Sequence, residues 1–147
     1  ESEEIYYNYD GSIYSKCPMV NGKLDGEKIT YDLDGNIDEK QFFKNNLRHG
    51  PGISFYNDGN IGSETNYFED KEHGTQKFYH IRSKILDCVE NYKYGKQHGV
   101  AYTYYENGNL KSERYYHNGD LCGISKDFFE DGKLKKEYDW GSIDDLV

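Results

Sequence analysis

The sequence predicts an all-β fold: a single-layer, antiparallel β-hairpin repeat array of about six repeats of 24 residues, forming a twisted or curved sheet. Three observations predict it. Two glycines recur at a fixed spacing, an aromatic and an aliphatic residue keep constant distances from one of them, and turn residues lie in between. No stretch shows a helical period, which argues against packed helices.

The two glycine series extend along almost the whole chain. The first is Gly26, Gly50, Gly74, Gly99 and Gly123, at intervals of 24, 24, 25 and 24 residues. The second is Gly11, Gly35, Gly59, Ser83, Gly108 and Gly132, at intervals of 24, 24, 24, 25 and 24. We therefore expect one repeat domain over 1–147, with repeats at roughly 5–24, 25–48, 49–72, 73–97, 98–121 and 122–140 and a tail at 141–147.

Each repeat has the pattern of a hairpin with a three-residue loop. An aromatic residue stands four positions before each member of the second series, and Ile or Leu stands two positions after it. Only a three-residue loop with a left-handed glycine places these two residues opposite each other on one face. Ser83 would take the left-handed position of the fourth loop at some cost. The pairs are Tyr7 and Ile13, Tyr31 and Ile37, Phe55 and Ile61, Tyr79 and Ile85, Tyr104 and Leu110, and Phe128 and Leu134.

Alternation along the strands extends this apolar face. It places Tyr116 on the same side as Leu110, and charged residues such as Glu113 on the opposite, solvated side. An extra residue in the fourth repeat predicts a β-bulge between Leu86 and Asn91. The predicted binding face consists of aromatic residues from successive hairpins: Tyr31, Phe43, Phe55, Tyr67, Tyr79, Tyr92, Tyr102, Tyr104, Tyr116 and Phe128.

Composition limits the classes of partner. The net charge is −9, so nucleic acid and anionic membranes are not expected ligands, whereas a basic protein is. No apolar run approaches the ~18 residues of a membrane span. Three cysteines without metal or redox spacing, Cys17, Cys88 and Cys122, favour a reducing compartment and hence a cytoplasmic protein. Secretion or surface display after removal of a leader is the alternative.

No catalytic residue, cofactor or metal is expected. His49, His73 and His98 each precede a glycine of the first series, but successive repeats lie ~10 Å apart, too far to share one zinc ion. They are interpreted as turn histidines. His117 and Cys122, placed together in a tight loop, lack an oxyanion site and are not expected to form a nucleophile set.

The repeat unit resembles the MORN repeat, and more closely its bacterial variant. The residues that carry the resemblance are 104–110 (YYENGNL), Tyr116 and 118–123 (NGDLCG). The resemblance covers Tyr7 to about Trp140 and is weaker in the first and fourth repeats. It implies a curved β-hairpin array that acts as a scaffold or binding surface without catalytic residues, and bacterial members are often labelled as antitoxins.

A single-layer sheet has no second layer to cover its apolar face. That face must therefore be closed by curvature, by self-association or by a partner. Together with the acidic charge, this predicts a non-catalytic protein-binding scaffold, specifically an antitoxin or immunity-type inhibitor of a basic toxin. A secreted or surface-displayed module that binds a host protein or glycan is the alternative.

Overall fold

In a computed structural model, residues 2–146 are described, the side chains of 145 and 146 excepted. The chain divides into two compact units, Glu1–Lys71 and Glu72–Val147. In a repeat array, contacts are made chiefly between neighbouring hairpins, so such a division is compatible with one array. The assignment of a single repeat domain, with the boundaries given above, stays a prediction.

Both units are built of antiparallel β-hairpins, which confirms the predicted fold class. In the first unit the strands pair in the order β1-β2-β4-β5-β6-β7, with β3 also on β2. These strands are β1 Ser2–Tyr7, β2 Ile13–Val20, β3 Lys23–Leu24, β4 Gly26–Tyr31, β5 Ile37–Lys44, β6 Leu47–Phe55 and β7 Ile61–Phe68.

The short strand β8, Lys71–Glu72, contains the boundary between the units. In the second unit the order is β9-β10-β12-β13-β14-β15, with β11 also on β10. The strands are β9 Gly74–Tyr79, β10 Leu86–Lys93, β11 Lys96–Gln97, β12 Gly99–Tyr104, β13 Leu110–His117, β14 Asp120–Phe128 and β15 Leu134–Asp139. A 3-10 helix, Ile143–Leu146, follows them.

The predicted three-residue loop is confirmed in five of the six hairpins. Between β4 and β5, the Asp32 N–H donates to the Asn36 carbonyl at 2.9 Å, and the Gly35 N–H donates to the Asp32 carbonyl at 3.1 Å. Gly35 has φ +84°, the left-handed conformation that a Cβ disfavours. Tyr31 consequently pairs with Ile37.

The loop of the fourth repeat differs from its prediction. Ser83 does not take the left-handed position; Lys84 does, with φ +60°. The loop encloses four residues instead of three, so the extra residue of this repeat lies in the loop. As a result, Tyr79 pairs with Leu86 and not with Ile85.

A β-bulge follows the loop in all six hairpins. Tyr31 pairs with Ile37 but Thr30 pairs with Glu39, so Asp38 has no partner of its own. A bulge follows Leu86 at the predicted place, since the register shifts between Leu86 and Cys88. It does not hold the extra residue of this repeat, which lies in the loop, so the reason given for the prediction is corrected. The other five were not predicted, and they occur at the same place in each hairpin.

The opposite ends of the strands are joined by two-residue turns in which both residues have positive φ, as type I′ turns require. Asn and Gly, which tolerate this conformation best, provide most of these residues. The turns are Asn21-Gly22, Asn45-Asn46, Glu69-Asp70, Tyr94-Gly95 and Asn118-Gly119.

Candidate functional site

The first candidate surface is the face that carries the aliphatic row, here called the aliphatic face of each unit. In the first unit its row is Ile13, Ile37 and Ile61, which are 37%, 37% and 39% exposed. Tyr31 and Phe55 pair with the second and third of these and are half-buried. Apolar groups are thus aligned on three successive hairpins and remain accessible to a partner.

In the second unit the aliphatic face carries the same pairs. Tyr104 pairs with Leu110 and Phe128 pairs with Leu134. The ring of Tyr102 lies 6.4 Å from that of Tyr104 on the same face. Burial raises the pKa of the Tyr104 hydroxyl, which therefore remains a neutral hydrogen-bonding group.

The opposite face of each unit, here called the buried face, holds the most buried side chains. Ser15, Cys17 and Gln41 lie on it in the first unit, with exposures of 1%, 1% and 4%. Gln76 and Ser125 lie on it in the second unit, with exposures of 1% and 0%. The interior is therefore small and polar, and the large aromatic side chains surround it instead of filling it.

The predicted binding face is divided between these two faces, which corrects the prediction that its ten aromatic residues share one side. The bulge after each loop inverts the alternation, so residues farther along the strand point to the side opposite the aliphatic row. Tyr31, Phe55, Tyr79, Tyr102, Tyr104 and Phe128 lie on the aliphatic faces, whereas Phe43, Tyr67, Tyr92 and Tyr116 lie on the buried faces. Whether any of them binds a partner stays a prediction.

The charged residues are redistributed for the same reason. Glu113 pairs with Tyr102 and thus lies on the aliphatic face, where it accepts a hydrogen bond from the Tyr115 hydroxyl at 2.7 Å. Lys40 pairs with Ile53 on the aliphatic face of the first unit. Neither face is wholly apolar, so a partner of the aliphatic face would meet charges beside the apolar row.

The aromatic residues of the buried faces make intramolecular contacts. The Arg48 guanidinium lies 4.1 Å from the centre of the Tyr67 ring, and its Nε lies 3.2 Å from Asp70 Oδ1. In the second unit, the Tyr92 hydroxyl donates to Glu90 at 2.8 Å. Burial, followed by that hydrogen bond, raises the pKa of the Tyr92 hydroxyl. These side chains thus contribute to the fold itself.

His73 and His98 stabilise turns, in agreement with their interpretation as turn residues. His49 instead lies within β6, with its ring 5.0 Å from that of Phe68, which corrects its interpretation. The Tyr94 N–H donates to His73 Nδ1 at 3.1 Å, and the Asn118 N–H donates to His98 Nδ1 at 3.1 Å. Each acceptor precedes a glycine of the first series, and each donor lies in the type I′ turn near the end of the same repeat. Each bond therefore joins the start of a repeat to its closing turn within the second unit.

The cysteines lie apart from any recognisable reaction centre. Cys122 lies in β14 and is 5% exposed, which corrects its placement in a turn. Burial, with the negative charges of Glu90 and Asp87, raises the pKa of the Cys88 thiol to about 11. Among residues 2–146 no group of His, Cys, Asp and Glu side chains has the arrangement of a metal site. In the same part of the chain no helix has the length and apolarity of a membrane span.

Among the open cavities of the first unit, two share the side chain of Tyr14, and the sequence predicted neither. One of about 480 Å³ is lined by Tyr14, Tyr31 and the loop that follows Tyr31. The other, of about 340 Å³, lies over the buried face and is lined by Gln41, Phe43 and Arg48 among others. Tyr14 lines both cavities because it occupies the bulge position of the first hairpin. Tyr14 thus forms part of the wall of both cavities. Its place directly after the constant aliphatic residue Ile13 was the only sequence signal for this.

Comparison with known proteins identifies the repeat unit. The family model of the MORN repeat variant matches residues 24–45, 97–118 and 121–140. The first match lies in the first unit, and the other two lie in the second. No characterised protein matches the chain significantly.

Proposed function

The chain is a MORN repeat protein, and from this premise we propose that it binds a basic protein through the first unit. MORN repeats are binding and scaffolding repeats, generally without catalytic activity. The row of accessible isoleucines Ile13, Ile37 and Ile61 is the observation that carries the proposal. Aligned apolar side chains of this size, bordered by charge, have the character of a protein interface.

The charge distribution supports both the unit and the kind of partner. The first unit has 14 acidic and 7 basic residues, a net charge of −7, whereas the second has 13 acidic and 11 basic residues, a net charge of −2. A protein of positive charge would be attracted to the first unit, and its association would be accelerated at low ionic strength.

The specific form that we propose is an inhibitor that masks a basic toxin in the cytoplasm. An acidic scaffold that covers a cationic active surface would act by occupying it, without chemistry of its own. This form predicts that the partner is toxic when expressed alone and inactive in the complex.

The proposal is tested by affinity capture with the immobilised full chain at low and at high salt, followed by titration of the captured protein. We expect a basic protein that is retained at low salt and released at high salt. The double variant Ile37→Ser/Ile61→Ser should weaken its binding at least tenfold. Ile124→Ser, which removes an exposed apolar side chain from the second unit, should not. Binding that is indifferent to both salt and the double variant would refute the proposal.

A further inference from the structure

The cavity of about 480 Å³ in the first unit lies where one repeat position has a short side chain. In the second unit, Tyr105 follows the constant aromatic residue, and its hydroxyl donates to the Phe128 carbonyl of the next hairpin at 2.8 Å. Asn109 Nδ2 donates to the Glu130 carbonyl at 2.7 Å. These side chains join one loop to the next.

In the second hairpin of the first unit, the position of Tyr105 is taken by Asp32, which cannot span the same gap, whereas the third hairpin keeps a tyrosine there, Tyr56. The cavity of about 480 Å³ opens there, between Tyr14, Tyr31 and Leu33. Asn57, which corresponds to Glu130 in the next loop, also lines it. The gap that the Tyr105 ring fills in the fifth hairpin is thus accessible beside the loop of the second hairpin.

The carboxylates of this cavity are arranged differently from those of the other loops. In four loops, the Asp or Asn just before the turn glycine accepts a hydrogen bond from the backbone N–H just after that glycine. Asp58, for example, accepts from the Asn60 N–H at 2.9 Å. In the second repeat Asp32 takes over this role, accepting from the Asn36 N–H at 2.8 Å. These backbone hydrogen bonds lower the pKa of Asp32. The carboxylate of Asp34 is therefore not needed to close its loop.

The lining of the cavity is complementary to a cation with an apolar stem. It contains two tyrosines, one leucine, three asparagines and three aspartates, and neither Lys nor Arg. Aspartate oxygens only accept hydrogen bonds, and tyrosine rings attract cations at their faces. The same unit already holds one guanidinium between a tyrosine ring and a carboxylate, that of Arg48 between Tyr67 and Asp70.

We propose that the cavity lined by Tyr14, Tyr31, Asp34 and Asp38 binds the side chain of an arginine from a partner protein. The inference rests on the proposed function, because it names the group by which a basic partner is anchored. A planar guanidinium forms paired hydrogen bonds with carboxylates and stacks on an aromatic ring, so it uses both features of the lining.

The test uses the full chain and two peptides, acetyl-Gly-Arg-Gly-amide and its citrulline analogue, which keeps the shape but removes the charge. We expect the arginine peptide to shift the backbone amide signals of Leu33, Asp34 and Asn36 in an NMR titration. Citrulline should bind at least tenfold more weakly. The double variant Asp34→Asn/Asp38→Asn should bind the arginine peptide at least tenfold more weakly. Asp131→Asn, in the matching loop of the last hairpin, should bind it as the unmodified chain does.

Asp32→Tyr provides a second test, because it restores the side chain that fills the gap in the second unit. Asp34 can then accept the Asn36 N–H as Asp58 accepts that of Asn60, so the loop should still form. We expect this variant to abolish the peptide shifts while its circular dichroism stays unchanged. Equal binding of citrulline, shifts elsewhere in the chain, or unaltered binding to Asp32→Tyr would overturn the inference.

The two proposals fail separately. If a basic protein binds and is lost with Ile37→Ser/Ile61→Ser, but the arginine peptide does not shift the loop, only the arginine site is wrong. If the peptide binds as expected and no basic protein is retained, the cavity recognises a guanidinium and the proposed function is wrong.

Discussion

The loops of the two units are joined in different ways, although they arise from one repeat. In the second unit, Tyr105, Asn107 and Asn109 all donate to carbonyls of the following hairpin. In the second loop of the first unit, the same positions are Asp32, Asp34 and Asn36, and they line a cavity. The repeat therefore specifies the backbone of the hairpins. A few side chains at the loops decide whether the space between two successive loops is filled or is accessible to a ligand.

The charges follow the same division. The first unit, which contains the cavity, has a net charge of −7, and the second unit has −2. Carboxylates that replace bridging side chains remove a structural contact and add attraction for a cation. Substitutions in each unit test this difference, and four comparisons follow in order of decreasing effect.

The largest effect is expected at Gly52 on the buried face of the first unit. A methyl group there would overlap Gln41 Oε1 and lie 2.8 Å from Thr65 Oγ1. Gly52→Ala should lower the free energy of unfolding by about 1–3 kcal/mol, measured by urea denaturation. The corresponding residue of the second unit is Ala101, and Ala101→Gly should cost no more than about 1 kcal/mol. The overlap would be refuted if the two variants lost similar free energies of unfolding. It would also be refuted if adding Gln41→Ala to Gly52→Ala restored no stability.

A smaller effect is expected where the loops need a left-handed residue. Gly59 of the first unit has φ +84° and would have no atom within 4 Å of an added Cβ, so its substitution tests conformation alone. Gly59→Ala should destabilise by about 1–2 kcal/mol. Lys84 of the second unit has φ +60°, and Lys84→Gly should stabilise by up to about 1 kcal/mol. If thermal denaturation shows that both variants are destabilised, or that both are stabilised, the assignment of left-handed conformations to Gly59 and Lys84 is contradicted.

The bridging tyrosine itself should contribute less. Tyr105→Phe removes the donor to the Phe128 carbonyl and should lower the free energy of unfolding by about 0.5–1.5 kcal/mol. Tyr14→Phe, at a half-exposed tyrosine of the first unit, is the matched control and should leave stability within about 0.5 kcal/mol. If urea denaturation shows the two variants to be equal, the hydroxyl of Tyr105 does not join the loops.

The smallest effect is the response to pH, which should have opposite directions in the two units. The pKa of Asp32 is lowered, chiefly by the Asn36 N–H, so its stabilisation is present above the unfolded value near 3.9 and is lost as pH falls through the folded value. The pKa of Cys88 is raised to about 11, so its stabilisation is complete below the unfolded value near 8.5–9 and is lost as pH rises to 11.

Stability curves of variants check these signs. Asp32→Asn should flatten the decline of thermal stability below pH 4, and Cys88→Ala should flatten the decline between pH 9 and 11. Each variant is the control for the pH range in which the other is expected to act. A Cys88→Ala curve that changes on the acid side instead would contradict the assignment.

The hairpin loops could be predicted from the sequence because their signals are local. A constant aromatic residue, a turn glycine and a constant aliphatic residue fix the length of the loop, and the pairing of Tyr31 with Ile37 follows. The fourth loop was predicted less well, since an insertion can be placed at several positions with equal fit to the pattern. Only the backbone conformation of Lys84 locates it.

The candidate site could be predicted only in part. Alternation assigned Tyr67 and Tyr116 to the face of Ile61 and Leu110, but the bulge that precedes them in each strand reverses that assignment. A bulge leaves no clear mark in composition, because the extra residue is Tyr14, Asp38 or Gly62 in the first three hairpins. The cavity was missed because it depends on the distance between loops of different repeats.

What the sequence determined by itself is the repeat and its hairpin: the period and, in five of the six hairpins, the three-residue loop and the partner of the constant aromatic residue. These depend on backbone conformation within a few residues, which glycine and turn residues control directly. Only the tertiary structure decided which aromatic side chains share a face and where a gap between loops remains open. The face of an aromatic side chain depends on strand register, and an open gap depends on how far side chains reach between hairpins 24 residues apart in the sequence. Register and reach are both set only when the strands pair.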